Sequence, residues 1–309
     1  MNLKQLEYFV QIAEHGSFSA ASRAIFVAQP ALTHQIAALE TELSIKLFAR
    51  SVKGVKLTET GESFLHHARL ILRQVDKAKS DLISDELAPR GEVAVVIDSS
   101  KAFALIPHLL SLCETRYPDI QLQVRDAMSV DAAALVQEGK VDLGLIPNAA
   151  DIDGVDAISA YQENLYLFGK ALLPFGNDGT IKFEQLCEFP LVVPAKPHSM
   201  RLQLEQKALE ARRPLNIRYE QNSANVIRSI VNSDLAKAIA PYDVVTQEWR
   251  GDQLDALKIV SPEVKRVHAI VSLKERPKTR AARAVESILK EVIQTLHTSG
   301  QLRGTLLLP

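Results

Sequence analysis

From Thr58 to about Asp85 the chain runs without proline and, past Gly61 in the first turn, without glycine. Thr58 can cap the start, so the run predicts one helix of roughly 28 residues, about 42 Å long at 1.5 Å per residue. Phe64, Ala68, Ile71, Val75, Ala78 and Leu82 recur in it at alternating steps of four and three, the spacing of a coiled-coil seam. A rod of this kind divides the chain into a small module ahead of it and a larger one behind. It reads as a dimerisation stalk; the alternative, an amphipathic helix packed on its own domain, is disfavoured because acids and bases flank the stripe on both sides.

Ahead of the rod, Leu3, Leu6, Phe9, Val10 and Ala13 fall at helical spacing, which predicts a first helix over residues 3–14 that stops at His15-Gly16. Ser17 or Ser19 can cap a second helix, with Ala20, Ala21 and Ala24 as small contact residues. After a turn through Phe26-Val27-Ala28, Gln29-Pro30 opens a third, because a proline in the first turn removes only an amide without a helical partner. There Leu32, Ile36 and Leu39 form one stripe, while Thr33, His34 and Gln35 face water. Two extended pieces follow, residues 46–49 and 55–57, joined by Ser51-Val52-Lys53-Gly54. Three helices and a basic hairpin make a winged helix-turn-helix.

Behind the rod, Ala88-Pro89-Arg90-Gly91 reads as a hinge. Strand and helix patterns then alternate: 93–97, helix 103–116, 120–124, helix 132–138 and 141–146, a βαβαβ order that implies a parallel sheet. A second set begins near Leu165 and includes 191–193, 217–220, a helix over 225–231 and 235–240. A strand over 267–272 and a helix over 280–297 return to the first set. The fold class is α/β, with domains expected at residues 1–58 (winged helix-turn-helix), 59–87 (linker helix), 88–91 (hinge) and 92–309. The last is two-lobed, with one lobe of about 92–162 and 267–309, the other of about 163–266, and a cleft between.

At 309 residues and 47% hydrophobic content the chain can bury a core in each module. It has no apolar run of about 18 residues, and periodic polar residues interrupt the start, so a cytoplasmic protein without a membrane span is expected. Cys113 and Cys187 stand far apart without paired His or Cys neighbours, which suggests neither a disulfide framework nor a zinc site. The net charge is −1, and residues 1–90 carry eleven Lys and Arg against ten Asp and Glu. Nucleic-acid affinity would therefore have to come from placement. Between Lys46 and Lys56 four cations occur with no acid.

The stretch SFSAASRAIFVAQPALTHQIAALETELSIKLFARSVKGVKLTETG resembles the DNA-binding half of the LysR-type transcriptional regulators, with its spacing intact over nearly all of residues 1–65. Within that family, HARLILRQ and Gln29-Pro30-Ala31-Leu32 resemble the nitrogen-assimilation-control branch. The resemblance implies a winged helix, a linker helix and a periplasmic-binding-protein-like sensor. It further implies a homodimer or homotetramer on promoter DNA, a small-molecule effector in the inter-lobe cleft, RNA polymerase as a further partner, and no cofactor or metal. Departures stand beside the matches. His34 occupies a position where Arg is frequent, Ser51 one where Arg or Thr is frequent, and Asp234-Leu235-Ala236-Lys237 replaces a glycine-rich stretch, which suggests an altered effector pocket.

Gln29, Thr33, His34 and Gln35 fall on the first turns of the recognition helix, where Gln can pair with adenine, Thr can meet thymine, and His can donate to guanine or phosphate. Pro30 and Ala31 would permit close approach to base methyls, and Arg50 and Lys53 would meet phosphates or the minor groove. For the effector, Ser99 and Ser100 follow the first sensor strand, Ser129 the second and Asn148 the third, while His198 and Ser199 precede a helix of the other lobe. With Lys237 opposite, these residues would favour an anionic or strongly polar ligand. Each is also an ordinary helix cap.

Three other functions compete. An enzyme would need a nucleophile or cofactor cradle, and no G-x-S-x-G, P-loop, G-x-G-x-x-G or H-E-x-x-H occurs. A transporter's solute-binding protein would need a secretion signal where the helix-turn-helix stands. An architectural DNA binder without effector would leave the cleft residues unused.

Overall fold

The computed structural model describes residues 1–51, 54–82, 88–175, 178–244 and 253–308, with side chains for all of these but 50, 51, 54, 73, 76–82 and 151. The chain forms two compact units, Met1–Leu87 and Ala88–Pro309.

In the first unit α1 (Leu3–His15) is capped by Asn2 and ends on Gly16 at φ 60°, a left-handed conformation that costs glycine nothing. Ser17 caps α2 (Phe18–Ala24), and α3 (Gln29–Leu43) carries Pro30 in its first turn. In the antiparallel hairpin β1 (Phe48–Ser51) lies two residues later than expected, while β2 (Gly54–Leu57) begins one residue early and ends where expected. Thr58 caps α4 (Glu59–Leu82) by accepting the Gly61 N–H, while its hydroxyl donates to the Lys46 carbonyl. A Cβ at Gly61 would overlap the Leu47 carbonyl, so glycine lets α4 start against the hairpin.

Leu6, Phe9, Ile12, Leu32, Leu39 and Leu47 form the core of this unit, with the Phe9 ring 5.1 Å from both Phe48 and Phe64. Here the expected stalk seam needs correction. Ala68 is fully buried in this core and Phe64 packs against it, because α4 crosses α1 and is tied to it by Arg69 Nη2 to Glu14 Oε1 at 3.0 Å. The first two seam positions therefore serve their own domain. Ile71 is 36% exposed and Val75 half-buried. The side chains of Ala78 and Leu82 lie outside the described residues, as do residues 83–87.

The second unit has two lobes. The first contains β3 (Gly91–Asp98), α5 (Ser99–Arg116), β4 (Ile120–Ala127), α6 (Ser129–Gln137) and β5 (Leu143–Pro147), then the start of β6 (Val155–Gly169). The second lobe follows with β7 (Thr180–Lys182), α7 (Phe183–Leu186), β8 (Leu191–Val193), α8 (Ser199–Glu210), β9 (Ile217–Glu220), α9 (Ala224–Asn232), β10 (Lys237–Pro241) and β11 (Asp255–Val260). The chain returns through β12 (Lys265–Leu273), α10 (Arg280–Thr298) and β13 (Thr305–Leu306).

Strand order is β4-β3-β5-β12-β6 in the first lobe and β6-β10-β8-β9 in the second. The expected parallel pairs of β3 with β4 and β5 form, and β8 pairs in parallel with β9 and β10 in the second lobe. β12 and β6 run antiparallel, which the βαβ pattern did not contain. Apolar groups cover both faces of each sheet: Leu105, Leu109, Val285 and Leu289 on one face of the first, Val136, Ile146 and Val271 on the other. The second lobe does the same with Leu167, Leu191 and Leu204 against Phe168, Val192 and Val231.

The largest departure is β6. A strand was expected to begin near Leu165, yet one continuous strand covers 155–169, with residues 155–159 and 161–164 paired with β12 around a bulge at Ala160 and the last five with β10 and β11. Gln162, Glu163 and Asn164 interrupt the apolar pattern at the crossing between lobes. Glu163 is nonetheless 1% exposed, because its charge is matched inside the protein.

Candidate functional site

The first unit presents the N-terminal turns of α3. Gln29, Pro30, Ala31 and His34 are exposed, Thr33 and Gln35 half-buried. The Thr33 hydroxyl donates to the Gln29 carbonyl at 3.0 Å, so it keeps only acceptor capacity and a methyl for a partner. Glu40, which sequence reasoning passed over, fixes the hairpin against this helix. Its Oε1 accepts the Leu47 and Phe48 N–H groups at 2.9 and 3.2 Å, and its Oε2 pairs with Lys46 at 2.6 Å. Burial pushes the Glu40 carboxyl up, but Lys46 and the two amides outweigh it and hold it below the usual carboxylate range. Arg50 lies on β1 without a described side chain, and Lys53 lies outside the described residues.

In the second unit a cavity of about 120 Å³ opens between the lobes. The end of β3 and the start of α5 supply Asp98, Ser99 and Ser100; the second lobe supplies Val192, His198, Asn222, Ile227 and residues 238–241 of β10; Arg266 of β12 closes the floor. Of the expected effector residues, the structure brings Ser99, Ser100 and His198 into this wall. Ser129 and Ser199 stand beside it, joined across the lobes by a hydroxyl contact of 2.9 Å.

Two expected residues are elsewhere. Asn148, left-handed at φ 55°, accepts the Val267 N–H through its side chain and donates its own N–H to the Val267 carbonyl, which extends the β5–β12 pairing. The Lys237 ammonium is held by the Lys170 carbonyl at 2.8 Å and Asp234 at 2.5 Å, with its stem over Gly169. It is no part of the cavity wall, so the altered pocket read from that lysine is not formed by it.

Beneath the cavity lies a buried charge network that sequence reasoning missed. Glu163 pairs with Lys101 at 2.5 Å and with Arg266 at 2.6 Å, and Lys101 pairs also with Asp243 at 2.5 Å, all but fully buried. Lys101 belongs to the first lobe and Asp243 to the second, so this pair ties them together. Burial pushes the Glu163 carboxyl up, yet Lys101, Arg266 and His268 together hold it well below the usual range. His268 Nε2 lies 2.8 Å from the ionised Glu163, which can only accept, so the ring carries its proton on Nε2. Burial lowers the His268 pKa against the pull of Glu163, and the ring stacks on Tyr161 at 4.7 Å. His198 is likewise lowered by burial; its Nδ1 accepts the Met200 N–H, which leaves Nε2–H as a donor. The only legible signal for Glu163, Arg266 and His268 was their position in strands with apolar neighbours; Lys101 on α5 and Asp243 beyond β10 carried none.

Among the described residues no helix is long and apolar enough to cross a membrane, and no group of three or more His, Cys, Asp or Glu is placed to hold a metal. A helix-turn-helix with a basic hairpin, together with a two-lobed unit that holds a largely apolar cavity with a few charged and polar groups, defines a DNA-binding regulator with a ligand-sensing domain. The chain belongs to the LysR family: residues 3–62 match the bacterial regulatory helix-turn-helix protein, lysR family, and residues 87–294 the LysR substrate binding domain. It is a DNA-binding transcription regulator and not an enzyme.

Among its relatives are the nitrogen assimilation regulatory protein nac of Klebsiella aerogenes, 26% identical over 78% of each chain, and the dual regulator OxyR of Escherichia coli, 24% identical over 88% of this chain and 89% of that one. A full-length OxyR variant from Pseudomonas aeruginosa superposes with a TM-score of 0.78 at 23% identity, covering 95% of each chain. CbnR complexed with its target DNA gives 0.64 at 23%, covering 96% of this chain and 99% of that one. At these identities the structural likeness concerns the fold.

Proposed function

We propose that the chain works in the cytoplasm as a homodimer or dimer of dimers on promoter DNA, and that a small molecule in the inter-lobe cavity adjusts its binding. Gln29, Pro30, Ala31, Thr33, His34 and Gln35 read bases, and the hairpin with Arg50 and Lys53 meets phosphates. The observation that carries the sensing half is the cavity itself, where buried charges and hydroxyls of the first lobe (Asp98, Ser99, Ser100, Arg266) face His198, Asn222 and an apolar wall of the second. Closing it on a ligand moves one lobe relative to the other about β6 and β12, the two strands at the crossing.

Ser99 is the position to block, since Ser100 is held inside the charge network. A Ser99→Trp variant should bind promoter DNA as the native protein does and lose its response to effector; an intact response would place the effector site elsewhere. Ile71, apolar and exposed on α4, marks the part of the stalk left for a partner copy. Ile71→Asp should dissociate the dimer in sedimentation and weaken binding to two-half-site DNA at least tenfold, whereas an intact dimer would remove α4 from the interface.

A thiol-based sensor is the competing reading that the OxyR likeness raises. Cys113 is buried in the first-lobe core and Cys187 in the second, and burial pushes both thiols up, away from the reactive thiolate.

A further inference from the structure

The cavity's charges specify more than a polar ligand. Asp98 and Arg266 are each 2% exposed, and both line the cavity. Asp98 accepts the Ser100 N–H and hydroxyl at Oδ1 alone. Arg266 commits Nε and Nη2 to Glu163 and Ser100. Asp98 Oδ2 and Arg266 Nη1 have no partner among the described residues. The Ser100 hydroxyl donates to Asp98 and accepts from Arg266, so the two charged groups meet one oxygen from different sides and lie roughly 4–5 Å apart.

We propose that the cavity takes an α-amino acid with a compact apolar side chain, its ammonium group on Asp98 and its carboxylate on Arg266. This rests on the cavity being the effector site. A simple anion would meet the buried Asp98 carboxylate, and a simple cation would meet Arg266; in a desolvated site either mismatch is costly. A zwitterion satisfies both, because its ammonium and carboxylate sit on one carbon, within roughly 3 Å of each other, and each forms a charge-assisted hydrogen bond.

Further donors gather for the carboxylate. Asn222 Oδ1 accepts the Ala195 N–H, so its amide NH₂ is the group left to donate. His198 keeps its Nε2–H. The N-terminus of α9, whose Ala224 lines the cavity, has no side-chain cap, so its first amides and dipole favour an anion there. Val192, Ile227, Ile239 and Val244 supply the apolar wall, and about 120 Å³ limits the side chain to a few carbons. Asp98 belongs to the first lobe and Asn222 and α9 to the second, so one such ligand bonds both.

The test titrates the full-length protein with L-alanine, L-valine, L-leucine and L-methionine, and with each one's deaminated acid and decarboxylated amine; for valine these are 3-methylbutanoate and 2-methylpropylamine. At least one amino acid should raise the melting temperature and bind at least tenfold more tightly than both of its singly charged analogues by calorimetry. Asp98→Asn should lose at least tenfold for that amino acid while 3-methylbutanoate gains, and Asn222→Ala, at an exposed position, should weaken the amino acid and the acid alike. An acid that binds the native protein as tightly as its amino acid, or no amino acid binding at millimolar concentration, overturns the proposal. If a molecule of other charge acts through a site that Ser99→Trp blocks, the cavity remains the effector site and the amino-acid assignment falls. If an amino acid binds Ser99→Trp undiminished, the cavity assignment falls with it.

Discussion

The start of α3 and the floor of the inter-lobe cavity are both recognition surfaces, and they handle polar groups in opposite ways. On α3 the side chains that would read DNA are exposed or half-buried, and no Asp, Glu, Lys or Arg occurs from Gln29 to Gln35. In the cavity the charged recognising groups, Asp98 and Arg266, are nearly fully buried and fixed from beneath, Arg266 by Glu163 and both by the Ser100 hydroxyl. A DNA groove is a long wet surface, where hydrated side chains gain specificity by placement. A ligand of a few atoms must be recognised by few groups, so each must be desolvated and fixed before the ligand arrives. The difference teaches that substitutions on α3 should change affinity without touching the fold, while those under the cavity should strike stability first.

The largest expected effect breaks the comparison at its buried end. Glu163→Gln leaves Lys101 and Arg266 without their shared countercharge and should cost the second unit roughly 3–5 kcal/mol in urea unfolding. A loss under about 1 kcal/mol would mean that the network is solvated in the working protein. Next, His34→Ala should weaken binding to the specific promoter by about 1–3 kcal/mol, leave non-specific binding nearly unchanged and leave the melting temperature in place. Equal losses on specific and scrambled DNA would make His34 a phosphate contact.

A pH series sharpens the contrast at intermediate size. His198 and His268 are both held neutral by burial in the folded state, with pKa values lowered from the ordinary value near 6.5. The unfolded chain therefore takes up protons first as pH falls, so the stability from these two groups is full above about pH 6.5 and declines below it. Glu163, lowered well below its ordinary value, adds a loss only in the more acid range, below about 4.5. The melting temperature of the second unit should fall between neutrality and about pH 5, and His268→Gln, which keeps a donor for Glu163, should flatten that slope; an unchanged slope would assign it to other groups. The smallest effect is expected at Lys237. Lys237→Ala should leave the effector response within about twofold, since its ammonium is engaged with Lys170 and Asp234, and a larger change would return it to the ligand site.

Much of the architecture was legible from local pattern. Gly16 as a stop, Ser17 as a cap, Pro30 in a first turn and Leu32, Ile36 and Leu39 as a buried stripe depend on backbone sterics and helical period, which act over a few residues. The strands at 191–193 and 217–220 were legible for the same reason. His34 faces water opposite the buried stripe as expected, while Thr33 and Gln35, also expected to face water, are half-buried because they flank that stripe.

The winged helix, the long helix, the alternation of strand and helix in both lobes and the outward His34 of α3 all follow from information carried by neighbours along the chain. Only the tertiary structure decided the rest. It committed Phe64 and Ala68 to the core of their own domain, ran β6 through both lobes, turned Asn148 and Lys237 away from the cavity, and brought Asp98, Lys101, Glu163, Asp243, Arg266 and His268 together. Lys101 and Asp243, in direct contact within that network, are 142 residues apart along the chain. A single buried charge looks like an error in an apolar pattern until its partner is known. Nothing local names that partner, because Coulomb attraction acts through space and depends on which strands the fold sets side by side.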